Sequence, residues 1–512
     1  MTQDVRNAFQ AAPDIKKWLT LIGLYAAMII QLCTSVTLSG WMRTAQTEFD
    51  DGALYILAMS ISGVLGLIAM PLYGYFGARN PALKRWIIAA SLLVGVIVLA
   101  GRALAPSMMV IVVVSAFWGF VSAGINVLGF TLIRDMFDQA KAGLYLGFVG
   151  TMIAIGMVAG PLIGGAVMQS SIGWRGWNWV LAACMAIAMV LVFLGVNVKK
   201  ADVQDMVSAG GTFDVIGTIG MMLLLGSLII MLSMTTFFPL GGMISNLLAL
   251  VAVVGLVIVV VTIMKKGDAA IVPKKVFKDS TSVLLALTVF FALFSSMALA
   301  IFLPQYIPSL ADDPIIQAID PSAQGLALLL PTACMALIGV FLGPILGKRI
   351  AAARNLRGVS TMATAVQIVI FAIFIALFFG VLGTTEDGTA KVPFVAILIL
   401  MLVAGIYNSR NSVISATAQL QIRPDIRVQS NSIIQVGQNL GAGLAMPIFG
   451  MVQAIYAKPL IEAGHPANVA TYMAVPQAMP IIMIIVTVAS IFLLITGLRL
   501  KPLPVQPVVA AA

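Results

Sequence analysis

The sequence predicts an all-α polytopic membrane protein of fourteen transmembrane helices, arranged as six, two and six, with both termini in the cytoplasm. Three observations carry this. Of 512 residues, 61% are hydrophobic and 9% charged, and the mean hydropathy of +1.07 lies far outside the range of soluble domains. Apolar runs long enough to cross the hydrocarbon core, which takes roughly 20 residues, recur along the whole chain. The breaks between them alternate in positive charge.

Spans are expected near 18–40, 53–77, 84–105, 107–133, 143–170, 175–197 and 214–234, then near 241–264, 281–303, 322–346, 360–383, 393–418, 428–456 and 471–497. Span 1 follows Arg6, Lys16 and Lys17; its apolar run exceeds a signal-peptide core and no small-residue cleavage site follows, so it is expected to stay. Span 2 ends at Ala78-Arg79-Asn80, span 3 opens at Lys84-Arg85, and span 4 ends at Arg134-Asp135. Span 5 is glycine-rich, and span 6 opens at Gly173-Trp174-Arg175. Span 7 begins at Asp214, span 8 ends at Lys265-Lys266, and span 9 follows Lys278-Asp279. Span 10 ends at Lys348-Arg349, span 11 follows Arg357, and span 13 follows Arg423 and Arg427. Span 14 ends at Arg499 and Lys501, and span 12 alone carries a cation within it, Arg410.

Of the 29 Lys and Arg, only Arg43, Arg102, Arg175, Lys391 and Lys458 fall in loops on the side opposite the termini. The positive-inside rule therefore puts the termini in the cytoplasm, as expected of a plasma (inner) membrane protein with many passes. The same topology accounts for the net charge of +10, leaving no reason to invoke nucleic acid. The 19 acids all sit in loops or at span ends, Asp135 and Asp214 closest to a boundary.

A repeat divides the chain. Pro71-Leu72-Tyr73-Gly74 at the end of span 2 is echoed by Pro344-Ile345-Leu346-Gly347 at the end of span 10, eight spans later. The offset predicts a six-helix half over 1–200, a two-helix insertion with a basic linker over 201–280, and a second six-helix half over 281–512.

Other chemistry finds no support. Cys33, Cys184 and Cys334 lie inside apolar runs, and the single histidine, His465, is in a loop, which disfavours disulfides, metal sites and a histidine proton relay. No cofactor is expected. Gly343-Pro344-Ile345-Leu346-Gly347-Lys348-Arg349 lacks the spacing and hydroxyl of a phosphate-binding loop, and neither a zinc-protease helix motif nor a nucleophile elbow is present, so an enzyme is not expected.

Span 5 carries Gly156-x-x-x-Gly160-Pro161-x-x-Gly164-Gly165, a smooth face for close helix approach with a proline that bends the helix. The pattern resembles the antiporter motif in the fifth span of exporters of the major facilitator superfamily. Thr131-Leu132-Ile133-Arg134-Asp135-Met136-Phe137, Gly173-Trp174-Arg175-Gly176-Trp177, Phe213-Asp214-x-x-Gly217, and Pro304-Gln305-Tyr306 followed by Ala323-Gln324-Gly325-Leu326 resemble that superfamily's fourteen-span drug/proton antiporter branch. The resemblance implies a major facilitator fold, a secondary transporter working by alternating access, a small-molecule substrate, protons as the candidate coupling ion, and a monomer in the lipid bilayer. Three departures stand out: Thr34 lies where the branch places an embedded Asp, Ser115 where it places an Arg four residues before Gly119, and no Asp follows Gly74 before Arg79.

An Arg deep in a bilayer faces a cavity or a partner, so Arg410, in Tyr407-Asn408-Ser409-Arg410-Asn411-Ser412, is the leading candidate for binding substrate. Asn411 beside it, Gln31 and Thr34 on span 1, and Trp118 and Asn126 on span 4 complete the candidate set. Asp135 and Arg134 are the candidate coupling residues. Two readings follow: efflux of an amphipathic, drug-like solute, for which 29 methionines offer an adaptable lining, and transport of an organic anion held by Arg410 through paired hydrogen bonds, with proton-coupled uptake as one form of it.

Overall fold

In a bilayer no water is available to backbone N–H and C=O groups, so long apolar runs must wind into helices that satisfy those groups internally. The computed structural model describes residues 8–49, 52–206, 214–233, 241–310, 315–316, 324–353, 356–384, 390–420, 422–423, 425–465, 470 and 473–500. The long helices in chain order are α1 (Asp14–Phe49), α2 (Gly52–Arg79), α3 (Lys84–Ala103), α4 (Met108–Met136), α5 (Gln139–Gln169), α6 (Gly173–Leu194), α7 (Val215–Ser233) and α8 (Met243–Lys266). They continue with α9 (Ser280–Met297), α10 (Gln324–Ala353), α11 (Leu356–Phe378), α12 (Phe394–Thr417), α13 (Arg427–Glu462) and α14 (Val475–Leu498). Among the described residues, twelve helices are long and apolar enough to cross a membrane. The second and seventh expected spans fall outside that twelve: α2 and α7 occupy their ranges, α2 with residues 52–64 described for backbone alone and α7 with an apolar stretch of Val215–Leu228.

α1, α10 and α13 run past their expected ends, to Phe49, Ala353 and Glu462. α1 runs to Phe49 because no glycine or proline breaks it between Trp41 and Phe49. α3 ends at Ala103, within its expected span, and holds Arg102, expected among the loop charges, inside the bundle at 1% exposure.

In the first six helices α1 packs on α5 and α6 and α3 on α6; in the last six, α9 packs on α13 and α14, α11 on α14, and α10 on α12. The two groups meet where α5 lies along α10 and α2 along α13. α7 packs on α2 and α13 and carries α8. Large apolar side chains including Ile97, Ile187, Phe341 and Met362 are more than half exposed, as a surface facing lipid tails requires.

Glycines set the closest approach between the groups. A Cβ on Gly147 of α5 would lie 2.7 Å from the Gly343 carbonyl oxygen and 3.0 Å from Gly347 Cα on α10. A Cβ on Gly347 would in turn meet the Gly143 carbonyl oxygen and Gly147 Cα, both at 2.5 Å. These contacts lie toward the helix ends that carry Lys84, Asp135 and Arg427, here termed the basic face.

Candidate functional site

The span 5 glycines pack within the first six helices. A Cβ on Gly156 would lie 2.6 Å from Leu32 Cβ, and one on Gly160 would lie 2.6 Å from Val36 Cγ2 and 3.0 Å from Cys33 Cα. At Gly164 it would meet Thr37 Cγ2 and the Trp177 ring at 2.9 Å, whereas at Gly165 nothing lies within 4 Å. Gly156, Gly160 and Gly164 are therefore one face of α5 set against α1, and Gly165 is not part of it; the Pro161 side chain lies outside the described residues. Gly160→Leu should leave protein in the membrane but cut transport at least tenfold, while Gly165→Ala keeps wild-type rates, in flux assays normalised to purified protein. Equal rates for both variants would remove the motif from the mechanism.

A neutral polar seam runs between α1 and α4 on one side and α12 and α13 on the other. Gln31 Nε2 donates to Ser122 Oγ at 2.8 Å, and Gln31, Ser122 and Asn126 are half-buried while Ser35 is exposed. α4 is π-wound over Gly124–Gly129, which shifts carbonyls from their usual helical partners. Asn431 of α13 takes two of them, donating from Nδ2 to Asn126 O at 3.0 Å and Val127 O at 2.8 Å. Gln435 Nε2 donates to Ser415 Oγ at 3.1 Å, and Asn439 Nδ2 reaches Met70 Sδ at 3.6 Å. Thr34 is not available to this seam, since it is buried and its hydroxyl donates to Ile30 O within its own helix.

Arg410 is fully buried and turned away from the seam. Its Nη1 donates to Thr364 Oγ1 at 2.6 Å and Ser360 O at 3.4 Å, and its Nη2 to Gln367 Oε1 at 2.7 Å, all on α11. Gln367 Nε2 then donates to Ser295 Oγ of α9 at 2.6 Å and Ser490 Oγ of α14 at 3.1 Å. Asn411 is likewise tied to α9, its Nδ2 donating to Ala292 O and Ser296 Oγ. Thr364, Gln367 and Ser490 had no signal in the sequence beyond being polar residues in apolar runs.

At the basic face Asp135 joins the two groups of helices. Its carboxylate lies 2.5 Å from Lys84 Nζ and 3.6 Å from Arg427 Nη1 of α13, with Asp135 3% and Lys84 2% exposed. Arg134 points elsewhere, donating to Phe137 O at 3.2 Å. The other near-boundary acid, Asp214, is a cap: it accepts from Gly217 N at 3.0 Å and Ile271 N at 2.9 Å and pairs with Lys266 at 3.0 Å. Asp135→Asn removes the negative charge between two cations, a loss worth roughly 3–5 kcal/mol for a buried pair. Transport should slow about tenfold with or without an imposed proton gradient. Loss of the gradient-driven component alone would instead make Asp135 a proton carrier.

At the opposite face a column of cations and aromatic rings joins α1, α3, α4 and α6. Gly173 adopts φ 59°, a left-handed turn that a side chain would strain, and starts α6 so that Trp174 faces α1. Glu48 Oε1 pairs with Arg175 at 2.5 Å, a hydrogen bond that holds the Glu48 carboxyl below the usual carboxylate range. Arg175 lies 4.5 Å over Trp174, which stacks on Trp41 at 5.6 Å. Arg102 follows, 5.5 Å from the Trp41 ring and 5.4 Å from that of Trp118, and its Nε donates to Ser115 Oγ at 3.0 Å. A guanidinium thus reaches Ser115, the place where the resembled branch carries an arginine, from α3 instead of α4.

Comparison with known proteins agrees with this architecture. The sequence model of the Major Facilitator Superfamily matches residues 21–446. Multidrug resistance protein 3 of Bacillus subtilis is 24% identical over 433 residues, covering 81% of this chain and 75% of that protein. The MFS-type transporter ppz2 of Metarhizium majus is 27% identical over 207 residues, covering 39% of this chain and 34% of that protein. The MFS-type transporter sphD of Aspergillus fumigatus is 27% identical over 272 residues, covering 51% of this chain and 45% of that protein. The chain thus spans about a third to a half of the length of these fungal relatives. Among solved structures, that of the human organic anion transporter MFSD10 (TETRAN) superposes with a TM-score of 0.57 at 13% identity, covering 94% of this chain and 100% of that one, a likeness of fold. With the family match running from α1 into α13, the chain belongs to the Major Facilitator Superfamily of transporters.

Proposed function

We propose that this protein is a secondary transporter that exports a small amphipathic or drug-like organic solute by alternating access, with the neutral seam between α1, α4, α12 and α13 as its binding site. The observation that carries the reading is the asymmetry of the contacts between the two groups of helices. Glycine backbones of α5 and α10 meet and Asp135 bridges to Arg427 toward the basic face, while half-buried Gln31, Ser122 and Asn126 retain access along the seam. This is what one end state of a rocking transporter requires. A seam built from amides, hydroxyls and a Met70 thioether suits an uncharged or weakly charged amphipathic solute. The names of the relatives support efflux: Multidrug resistance protein 3 in Bacillus subtilis and Efflux pump dotC in Dothistroma septosporum.

In the same reading α2 and α7 complete fourteen spans, α7 and α8 are an insertion between two six-helix halves, and the basic face is cytoplasmic. The protein works as a monomer in the plasma (inner) membrane, with protons as the coupling ion. Proteoliposomes with an imposed pH gradient test it: a fluorescent amphipathic dye should accumulate against its gradient, and reversing the pH gradient should reverse the flux. Dye movement equal to that of protein-free vesicles under both gradients sinks the proposal.

A second reading, organic-anion transport, is favoured by the buried cations Arg102 and Arg410, which have no buried acid beside them among the described residues. Arg410 serves it only by exchanging its bonds to Thr364 and Gln367 for the solute.

A further inference from the structure

Two buried arginines lie away from the basic face, and their surroundings differ in kind. Around Arg410 the buried atoms without a hydrogen-bond partner are mixed: Arg410 Nε donates, Asn411 Oδ1 accepts, and the Ser360 and Tyr407 hydroxyls do either. Such a set suits water, which offers both functions. Around Arg102 the unpartnered atoms are weighted toward donors, Arg102 Nη1 and Trp41 Nε1 on side chains 1% and 0% exposed, against one neutral acceptor, Asn178 Oδ1 on the facing side of α6. An excess of donors, one of them on a cation with no carboxylate against it among the described residues, suits an acceptor that is negatively charged.

We infer that Arg102, Trp41 and Trp118 form a subsite for the carboxylate of an aromatic organic acid, with the guanidinium and the Trp41 indole N–H as donors and the ring faces as walls. The inference rests on the transporter reading and deepens it by naming a substrate class and a site other than Arg410. Among the described residues Arg102 holds one hydrogen bond, to Ser115, and its Nη1 has no partner, so that nitrogen can engage a carboxylate without giving up a protein partner. Access has a structural basis. Trp118 stands directly after a break at Phe117 that separates Met108–Ala116 from Trp118–Ala123, and the π-wound Gly124–Gly129 follows, so the segment bearing Trp118 is held by irregular helix on both sides. Trp118 and the seam residue Ser122 lie one turn apart on one face of α4, which connects the subsite to the Gln31–Ser122 pair. Trp41, already stacked on Trp174, stabilises the cation, and the Trp118 ring is the one that stacks on an aromatic acid when the site is filled.

The test is calorimetric titration of the full chain in nanodiscs with 2-naphthoate and, as its uncharged counterpart, 2-naphthamide. Arg102→Gln is expected to weaken naphthoate binding at least tenfold and leave naphthamide unchanged. Trp41→Phe, which keeps the ring and removes the N–H, is expected to weaken naphthoate about three- to tenfold and keeps the question open to experiment if Arg102→Gln does not fold. Unchanged naphthoate affinity in either folded variant, or no naphthoate binding to the wild type, overturns the subsite. Gradient-driven flux of a neutral dye would persist in that case, so the transporter reading fails separately.

Discussion

Gly147→Leu should reduce transport by at least a hundredfold while leaving a folded protein in the membrane. The position is a contact between backbones. A Cβ there would sit 2.7 Å from the Gly343 carbonyl oxygen, 3.0 Å from Gly347 Cα and 3.1 Å from Pro344 Cα, so no flexible side chain can swing away to admit it. The only relief is separation of α5 from α10. Each group of helices keeps its own packing in that movement, which is why folding survives: α5 still lies on α1 through Gly156, Gly160 and Gly164. What is lost is the closed basic face. Moving a two-state equilibrium from one end to the other takes about 5.5 kcal/mol, and forcing a leucine between backbones is a penalty of that order, so the variant should be held with its basic face open. Spin-label distances between the basic-face ends of α5 and α10 should shift to the long population, and exchange of dye across the vesicle membrane should stop. A wild-type distance distribution together with wild-type flux would show that this contact does not change during the cycle.

Gly147 and Asp135 bear on the same end of the molecule in different ways. The glycine face permits contact, and the Lys84–Asp135–Arg427 cluster adds charge pairing across the junction. Asp135→Asn therefore weakens a closure that Gly147→Leu forbids, which is why a tenfold effect is expected from the first and a far larger one from the second.

The architecture was legible because the solvent is so restrictive. Nearly every run of apolar residues had to be a helix, and loop charges ordered the runs. The site was legible only in part. That an arginine in span 12 must find acceptors followed from the charge inventory, but that its acceptors would be Thr364 and Gln367 did not, since long-range pairing leaves no periodic trace. Arg102 reads as one of the loop charges for a different reason: it stands next to last in α3, where span boundaries read from sequence blur, and only packing shows the guanidinium turned inward between Trp41 and Trp118. The antiporter motif was legible as a packing face, yet its last glycine, Gly165, reads like the others and touches nothing within 4 Å.

Arg410→Ala should lower the thermal midpoint of the purified protein and reduce transport of every solute alike. The guanidinium of Arg410 links α12 to α11 through Thr364, Ser360 and Gln367, and Gln367 passes the link to Ser295 on α9 and Ser490 on α14. Four helices of the second group of six are therefore joined at one buried cation. Hydrogen bonds to a charged group contribute about 1.5–3 kcal/mol each, and the acceptors stranded by the deletion add their own desolvation, so a loss of roughly 3–5 kcal/mol is expected. That corresponds to a fall in the midpoint on the order of 5–10 °C. Lysine restores the charge but offers a single ammonium in place of a planar fork and cannot hold Thr364 and Gln367 together, so Arg410→Lys should recover less than half of the loss. Parallel flux of an anionic and a neutral dye separates the two roles this residue can have. If Arg410 binds the anion of a solute, the anionic dye alone slows and the midpoint stays put. The hydrogen bonds favour the other outcome, in which both dyes slow together and the protein melts earlier.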